Sequence, residues 1–187
     1  MSKQNQLAGW LINLPNKLTI GRVAVIPILM ILFPLNIQFF NLICAFLFAL
    51  AAATDFFDGY LARKYDSVTK LGKVLDPIAD KLLTVAAVVL LSSRGDLPSF
   101  LAIMLLCREI VIAGLRLAAK EEGFSIEVND LGKAKTAILD IGLFCLFVDT
   151  PSFHQFGMIF TWVALGFSYY SAYVYCSTFW EKTKHQF

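Results

Sequence analysis

From Phe153 to Trp180 the chain runs without a single Lys, Arg, Asp or Glu. A stretch that long cannot lie on the surface of an ordinary soluble domain, where water would face half of any helix. Five more apolar stretches precede it: 18–35, 39–54 continuing to about 63, 76–93, 97–120 and 131–149. Each is long enough to cross a bilayer as a tilted helix. Only 16% of the 187 residues are charged and 58% are hydrophobic, well short of the roughly 25% charge usual in soluble domains. The expected fold is all-α: a polytopic membrane protein of six transmembrane helices over 18–180, one domain from 1 to 187. A cytoplasmic tail is expected at 181–187. Six helices of roughly 20 residues leave no room for a second soluble domain. A net charge of +2 argues against a nucleic-acid partner. The four cysteines, at 44, 107, 145 and 176, sit in apolar stretches and are expected to fill the core without disulfides.

The N-terminus lacks the apolar core and small-residue pattern of a cleavable signal. Leu7, Trp10, Leu11 and Leu14 recur at helical spacing until Pro15. They predict an amphipathic helix over 1–17 lying in the membrane interface. Lys and Arg then set the orientation. With the N-terminus inside, the outer loops 36–38, 92–97 and 149–153 hold Arg94 alone of sixteen basic residues. Both termini are therefore expected on the cytoplasmic side of the membrane.

Charges inside apolar helices are costly and gather where they face water or one another. Arg22, Asp55, Asp58, Arg63, Asp76, Asp80, Lys81, Arg108, Glu109, Arg116, Lys133 and Lys135 all fall toward the cytoplasmic ends of the expected spans. They predict one polar cavity open to the cytoplasm. Asp55 and Asp58 are i, i+3, and Asp76 and Asp80 are i, i+4, so each pair projects from one helix face. Four converging carboxylates need cations between them, and oxygen-only ligands select Mg²⁺ or Mn²⁺. Two such ions suit chemistry at phosphorus. The same spacing also admits ordinary helix-end ion pairs of Asp55 and Asp58 with Arg63 and Lys64.

Residues 55–80 read DFFDGYLARKYDSVTKLGKVLDPIAD. This segment resembles the signature of the CDP-alcohol phosphotransferases, D-x-x-D-G-x-x-A-R-x8-G-x3-D-x3-D, at every fixed position: Asp55, Asp58, Gly59, Ala62, Arg63, Gly72, Asp76 and Asp80. The resemblance implies that Asp55 and Asp76 bridge two metal ions, Asp58 binds one and Asp80 the other. Asp80 is also implied as the base that takes the proton of an acceptor hydroxyl. Gly59 and Ala62 would let a nucleotide approach the helix backbone, and Arg63 would offer a fork to a phosphate oxygen. Thr69 resembles a nucleotide-contacting position, and Gly72 would allow close helix packing. The implied reaction is attack of an alcohol on the β-phosphorus of CDP-diacylglycerol, with CMP as leaving group.

Arg108 and Arg116 lie eight residues apart, near two helical turns, and share a face. With Lys133 and Lys135 they form four cations that suit an anionic acceptor. Glu109 follows Arg108 but stands about 100° away around the helix, and so is not expected to neutralise it. The lysines would also serve as plain cytoplasmic anchors. The segments CREIVIAGLRL (107–117), LGKAKT (131–136) and LPNKLTIGR (14–22) resemble those of bacterial phosphatidylglycerophosphate synthases. That resemblance implies sn-glycerol 3-phosphate as acceptor, with Asn16, Thr19 and Arg22 near the nucleotide or the acceptor, and a homodimer among membrane lipids. Two alternatives stay open: another acceptor within the superfamily (phosphatidylserine, phosphatidylinositol-phosphate or cardiolipin synthesis), and a cation transporter using the four aspartates as its path.

Overall fold

A computed structural model describes residues 21–65, 70–122 and 130–184, the side chains of 55–65, 70–80, 120, 121 and 130–133 excepted. The expected interfacial helix at 1–17 lies outside the described residues. Among the described residues there are helices and no strand. Residues 21–32 form α1, followed by a 3₁₀ turn at Phe33–Leu35. Then come α2 (Gln38–Tyr65), α3 (Lys70–Arg94), α4 (Ser99–Glu121), α5 (Asp130–Val148) and α6 (Pro151–Lys184).

The ends of these helices follow from backbone chemistry. Pro34 enters the 3₁₀ turn after α1, and Asn36 closes it in the left-handed region at φ 53°. After α3, Gly95 takes φ 91°, so the amides of Asp96 and Leu97 can fold back onto the Leu91 carbonyl at 3.0 and 3.2 Å. Arg94 and Asp96 pair across that turn. Asp149, at φ 53°, ends α5, and Pro151 opens α6 at a position where no amide is needed.

None of the helices, over its described residues, is long and apolar enough to cross a membrane. Arg108, Glu109 and Arg116 interrupt α4, and the uncharged part of α6 is diluted by Tyr, Ser, Gly, His and Gln.

Two compact units emerge. The first holds the chain up to Leu90 together with Phe147–Asp149. Its buried residues include Leu29, Phe33, Cys44, Ala45, Phe48 and Phe147. Phe33 meets Phe147 edge-on at 4.9 Å between centroids, and Phe48 lies 5.5 Å from the same ring. Two polar ties hold the last residues of α5 to the start of α2. Gln38 Nε2 donates to the Val148 carbonyl at 2.8 Å, and Asn41 Nδ2 donates to the Asp149 carboxylate at 3.0 Å.

The second unit holds Leu91–Leu146 and Thr150–Phe187. Buried residues on α4 fall at 101, 102, 105, 108, 112 and 119, and on α6 at 157, 161, 164, 165, 168 and 175. Each series returns at intervals of about three or four residues, a single buried stripe along one face of its helix. Contacts between the two run in the same direction along the chain: Phe100 with Trp162, Met104 and Arg108 with Tyr169 and Ser168, Arg116 with Tyr175, Glu122 with Thr183. α4 and α6 are therefore parallel neighbours, with α5 as the crossover between them. None of the four cysteines is in a disulfide. Cys44 and Cys145 are buried as expected, but Cys107 and Cys176 are exposed, because each falls off the buried series of its helix.

Candidate active site

The aspartate motif is carried on two helices. Asp55 and Asp58 fall within α2, and Asp76 and Asp80 within α3. Both helices are unbroken across these positions, so each pair shares one helix face. Four residues separate Tyr65 from Lys70, which keeps the facing ends of α2 and α3 within about 18 Å of each other. The side chains of Asp55, Asp58, Gly59, Ala62, Arg63, Gly72, Asp76 and Asp80 lie outside the described residues, as do Thr69, Asn16 and Thr19 altogether. Among the described residues no group of three or more His, Cys, Asp or Glu is placed to hold a metal ion. The motif itself offers only carboxylate oxygens, a donor set that fits a hard divalent cation and not a soft one.

Arg22, in α1, is buried to 2% exposure. It belongs to the first unit, whereas Arg108, Arg116 and Lys135 belong to the second. Within the second unit Arg108 is the most deeply set of the basic side chains described. Its Nε donates to the Ser168 carbonyl of α6 at 2.9 Å, and its Nη1 donates to Glu109 Oε1 at 2.7 Å. Lys135, from α5, donates to the same Glu109 oxygen. Glu109 thus pairs with both Arg108 and Lys135, and the expectation that it leaves Arg108 unneutralised is corrected. The angular separation of adjacent residues applies to their β-carbons. A guanidinium turned by its bond to the Ser168 carbonyl reaches back across that angle. Three charged side chains therefore form one cluster around Glu109.

Arg116 is exposed, and its guanidinium carbon lies 6.0 Å from the Tyr175 ring centroid on α6. Lys133 falls in α5, its side chain outside the described residues. The structure thus brings Arg108 and Lys135 together through Glu109, and sets Arg116 against a different partner. Sequence reasoning expected α6 as a helix but gave it no part in the site. No residue type in α6 signalled that part, because Arg108 is held by a backbone carbonyl and Arg116 by one ring among several aromatics.

Comparison with known proteins agrees with the motif. The profile of the CDP-alcohol phosphatidyltransferase family matches residues 12–170. A Bacillus subtilis (strain 168) protein named CDP-diacylglycerol–glycerol-3-phosphate 3-phosphatidyltransferase is 38% identical over 188 residues, covering 92% of this chain and 97% of that protein. A Rickettsia bellii protein of the same name is 39% identical over 171 residues, 86% of this chain and 94% of its own. One from Pectobacterium atrosepticum is 40% identical over 141 residues, 72% of this chain and 76% of its own. With a matched profile over most of its length and eight fixed positions carried on two helices, the chain belongs to the CDP-alcohol phosphatidyltransferase family.

Proposed function

We propose that this protein transfers the phosphatidyl group of CDP-diacylglycerol to sn-glycerol 3-phosphate, giving phosphatidylglycerophosphate and CMP. The observation that carries the reading is the complete aspartate signature on α2 and α3 in a chain whose relatives bear that enzyme name over nearly their full length. The acceptor hydroxyl oxygen attacks the β-phosphorus of CDP-diacylglycerol, the bond from that phosphorus to the CMP oxygen breaks, and the hydroxyl proton passes to Asp80. Asp55, Asp58, Asp76 and Asp80 would hold two Mg²⁺ or Mn²⁺ ions, which supply charge neutralisation at the pyrophosphate. Gly59, Ala62, Arg63, Thr69 and Gly72, with Asn16 and Thr19, bind the CDP-lipid. Arg108, Arg116, Lys133, Lys135 and Arg22 draw in the acceptor phosphate. The gathering of Arg108 and Lys135 at Glu109, and exposed Arg116 two turns further along α4, support that assignment.

The same reading makes the whole chain one domain in the cytoplasmic membrane, crossing it six times, with both termini inside and two copies per assembly. Large apolar side chains turned outward support it, among them Ile31 at 68% exposure, Phe39 at 67% and Ile110 at 72%. Left in water these would cost far more than the fold could offset; in lipid they cost nothing. The test is release of CMP from CDP-diacylglycerol by purified protein. It is expected to require both Mg²⁺ or Mn²⁺ and added glycerol 3-phosphate. Release without any added alcohol, or none with glycerol 3-phosphate, overturns the proposal.

A further inference from the structure

α6 carries no charged residue from Pro151 to Trp180, yet it touches both arginines of α4. The Ser168 carbonyl holds Arg108, and two turns later the Tyr175 ring faces Arg116. Tyr175 is only 7% exposed. Its hydroxyl is buried and has no hydrogen-bond partner among the described residues. Other hydroxyls on α6 find partners in their own helix: Thr161 donates to the Gly157 carbonyl, Ser177 and Thr178 to that of Val174, and Thr183 to that of Phe179. A tyrosine cannot do the same, because its rigid ring carries the hydroxyl away from the backbone. Buried tyrosine hydroxyls ordinarily have a partner, and one without is a donor awaiting an acceptor.

We propose that Tyr175 is a specificity-determining residue of the acceptor site, its hydroxyl donating to a phosphate oxygen of the ligand that Arg116 draws in. The chemistry is complementary: a phosphate offers only acceptors, while the guanidinium and the phenol beside it offer donors. The ring is the surface on which Arg116 rests. This inference rests on the reading of the acceptor as a phosphate-bearing alcohol. The pyrophosphate of the CDP-lipid is the other possible source of such oxygens, and kinetics with each substrate varied in turn separates the two.

Tyr175→Phe keeps the ring and removes only the hydroxyl. The KM for glycerol 3-phosphate is expected to rise about tenfold, the worth of one bond to a charged group. The kcat, the KM for CDP-diacylglycerol and the thermal stability in detergent should each stay near the wild-type value. Added to Arg116→Ala, the same change should raise the acceptor KM by clearly less than it does alone, because both act on one phosphate. An unchanged acceptor KM overturns the proposal. So does a rise confined to the KM for CDP-diacylglycerol, or a joint loss of kcat and thermal stability, which would mark Tyr175 as packing alone. If the wild-type protein uses a different phosphate-bearing alcohol, the acceptor named above is wrong, and the KM for that alcohol decides the role of Tyr175. If it accepts only alcohols without phosphate, both readings fall together.

Discussion

Gly142 of α5 and Gly157 of α6 meet so closely that neither has room for a β-carbon. One built on Gly142 would stand 2.9 Å from Thr161 Oγ1 and 3.1 Å from the Thr161 backbone nitrogen. One built on Gly157 would stand 2.8 Å from Leu146 Cγ and 2.9 Å from the Gly142 carbonyl oxygen. The Thr161 hydroxyl is already committed to the Gly157 carbonyl at 2.8 Å. This crossing is what brings the crossover helix against α6.

Gly142→Ala or Gly157→Ala should therefore destabilise the protein by about 1–3 kcal/mol, since backbone and a packed leucine must give way. Gly166 lies on the same helix with nothing within 4 Å of its would-be β-carbon. Gly166→Ala should instead stabilise by up to about 1 kcal/mol through helix propensity. Thermal unfolding of the three variants in one detergent compares them. Equal midpoints would show that the close crossing contributes nothing.

Asp80→Asn should lower turnover on the order of 10³-fold or more while leaving the protein folded, because it removes both a metal ligand and the base. Asp55→Ala should also weaken the dependence on Mg²⁺ or Mn²⁺, shifting the metal titration to higher concentration. CMP release against metal concentration reads both. An Asp80→Asn variant that keeps more than about a tenth of wild-type turnover contradicts the assignment.

Arg116→Ala should raise the KM for glycerol 3-phosphate by about tenfold or more and leave that for CDP-diacylglycerol little changed. Arg116→Lys should recover only part of the loss, since an ammonium lacks the planar fork that fits phosphate oxygens. Full recovery by lysine would mean that charge alone matters at this position.

Glu109→Gln leaves Arg108 its bond to the Ser168 carbonyl but weakens the tie to Lys135. Two cations then share a neutral amide, and their geometry loosens. The kcat should fall by about tenfold, with a smaller change in acceptor KM, because the added positive charge still attracts phosphate. Steady-state kinetics with glycerol 3-phosphate varied gives both constants. A rise in KM with kcat intact would show that Glu109 serves binding and not orientation.

Much of the helical layout was legible. Apolar runs ending at 120 and 149 correspond to α4 ending at Glu121 and α5 ending at Val148. The largest miss is the start of α3, expected at 76 and found at Lys70. There the apolar pattern begins later than the helix, because the first turns carry polar residues and hydropathy marks burial, not backbone conformation. The family and the aspartate spacing were legible because fixed spacing on a helix is geometry written in sequence. The Arg108–Glu109–Lys135 group was not, because its arrangement depends on a backbone carbonyl of Ser168. A carbonyl is common to every residue and leaves no mark in the sequence. Tyr175 escaped for a related reason: one tyrosine among several on an aromatic helix is distinguished only by what surrounds its hydroxyl.

The parallel seam of α4 and α6 has a consequence for how this protein could change its preference. Each helix buries a single stripe of residues, so α6 can be seated only with that stripe turned to α4. Deleting one residue between Pro151 and Phe167 would rotate everything beyond it by about 100°. The Ser168 carbonyl and the Tyr175 ring would both leave their arginines, although no charged residue had been touched. Selection for a new acceptor thus has a route that spares the aspartate motif entirely: substitutions along an uncharged helix, where a comparison of ionisable residues would record no difference at all.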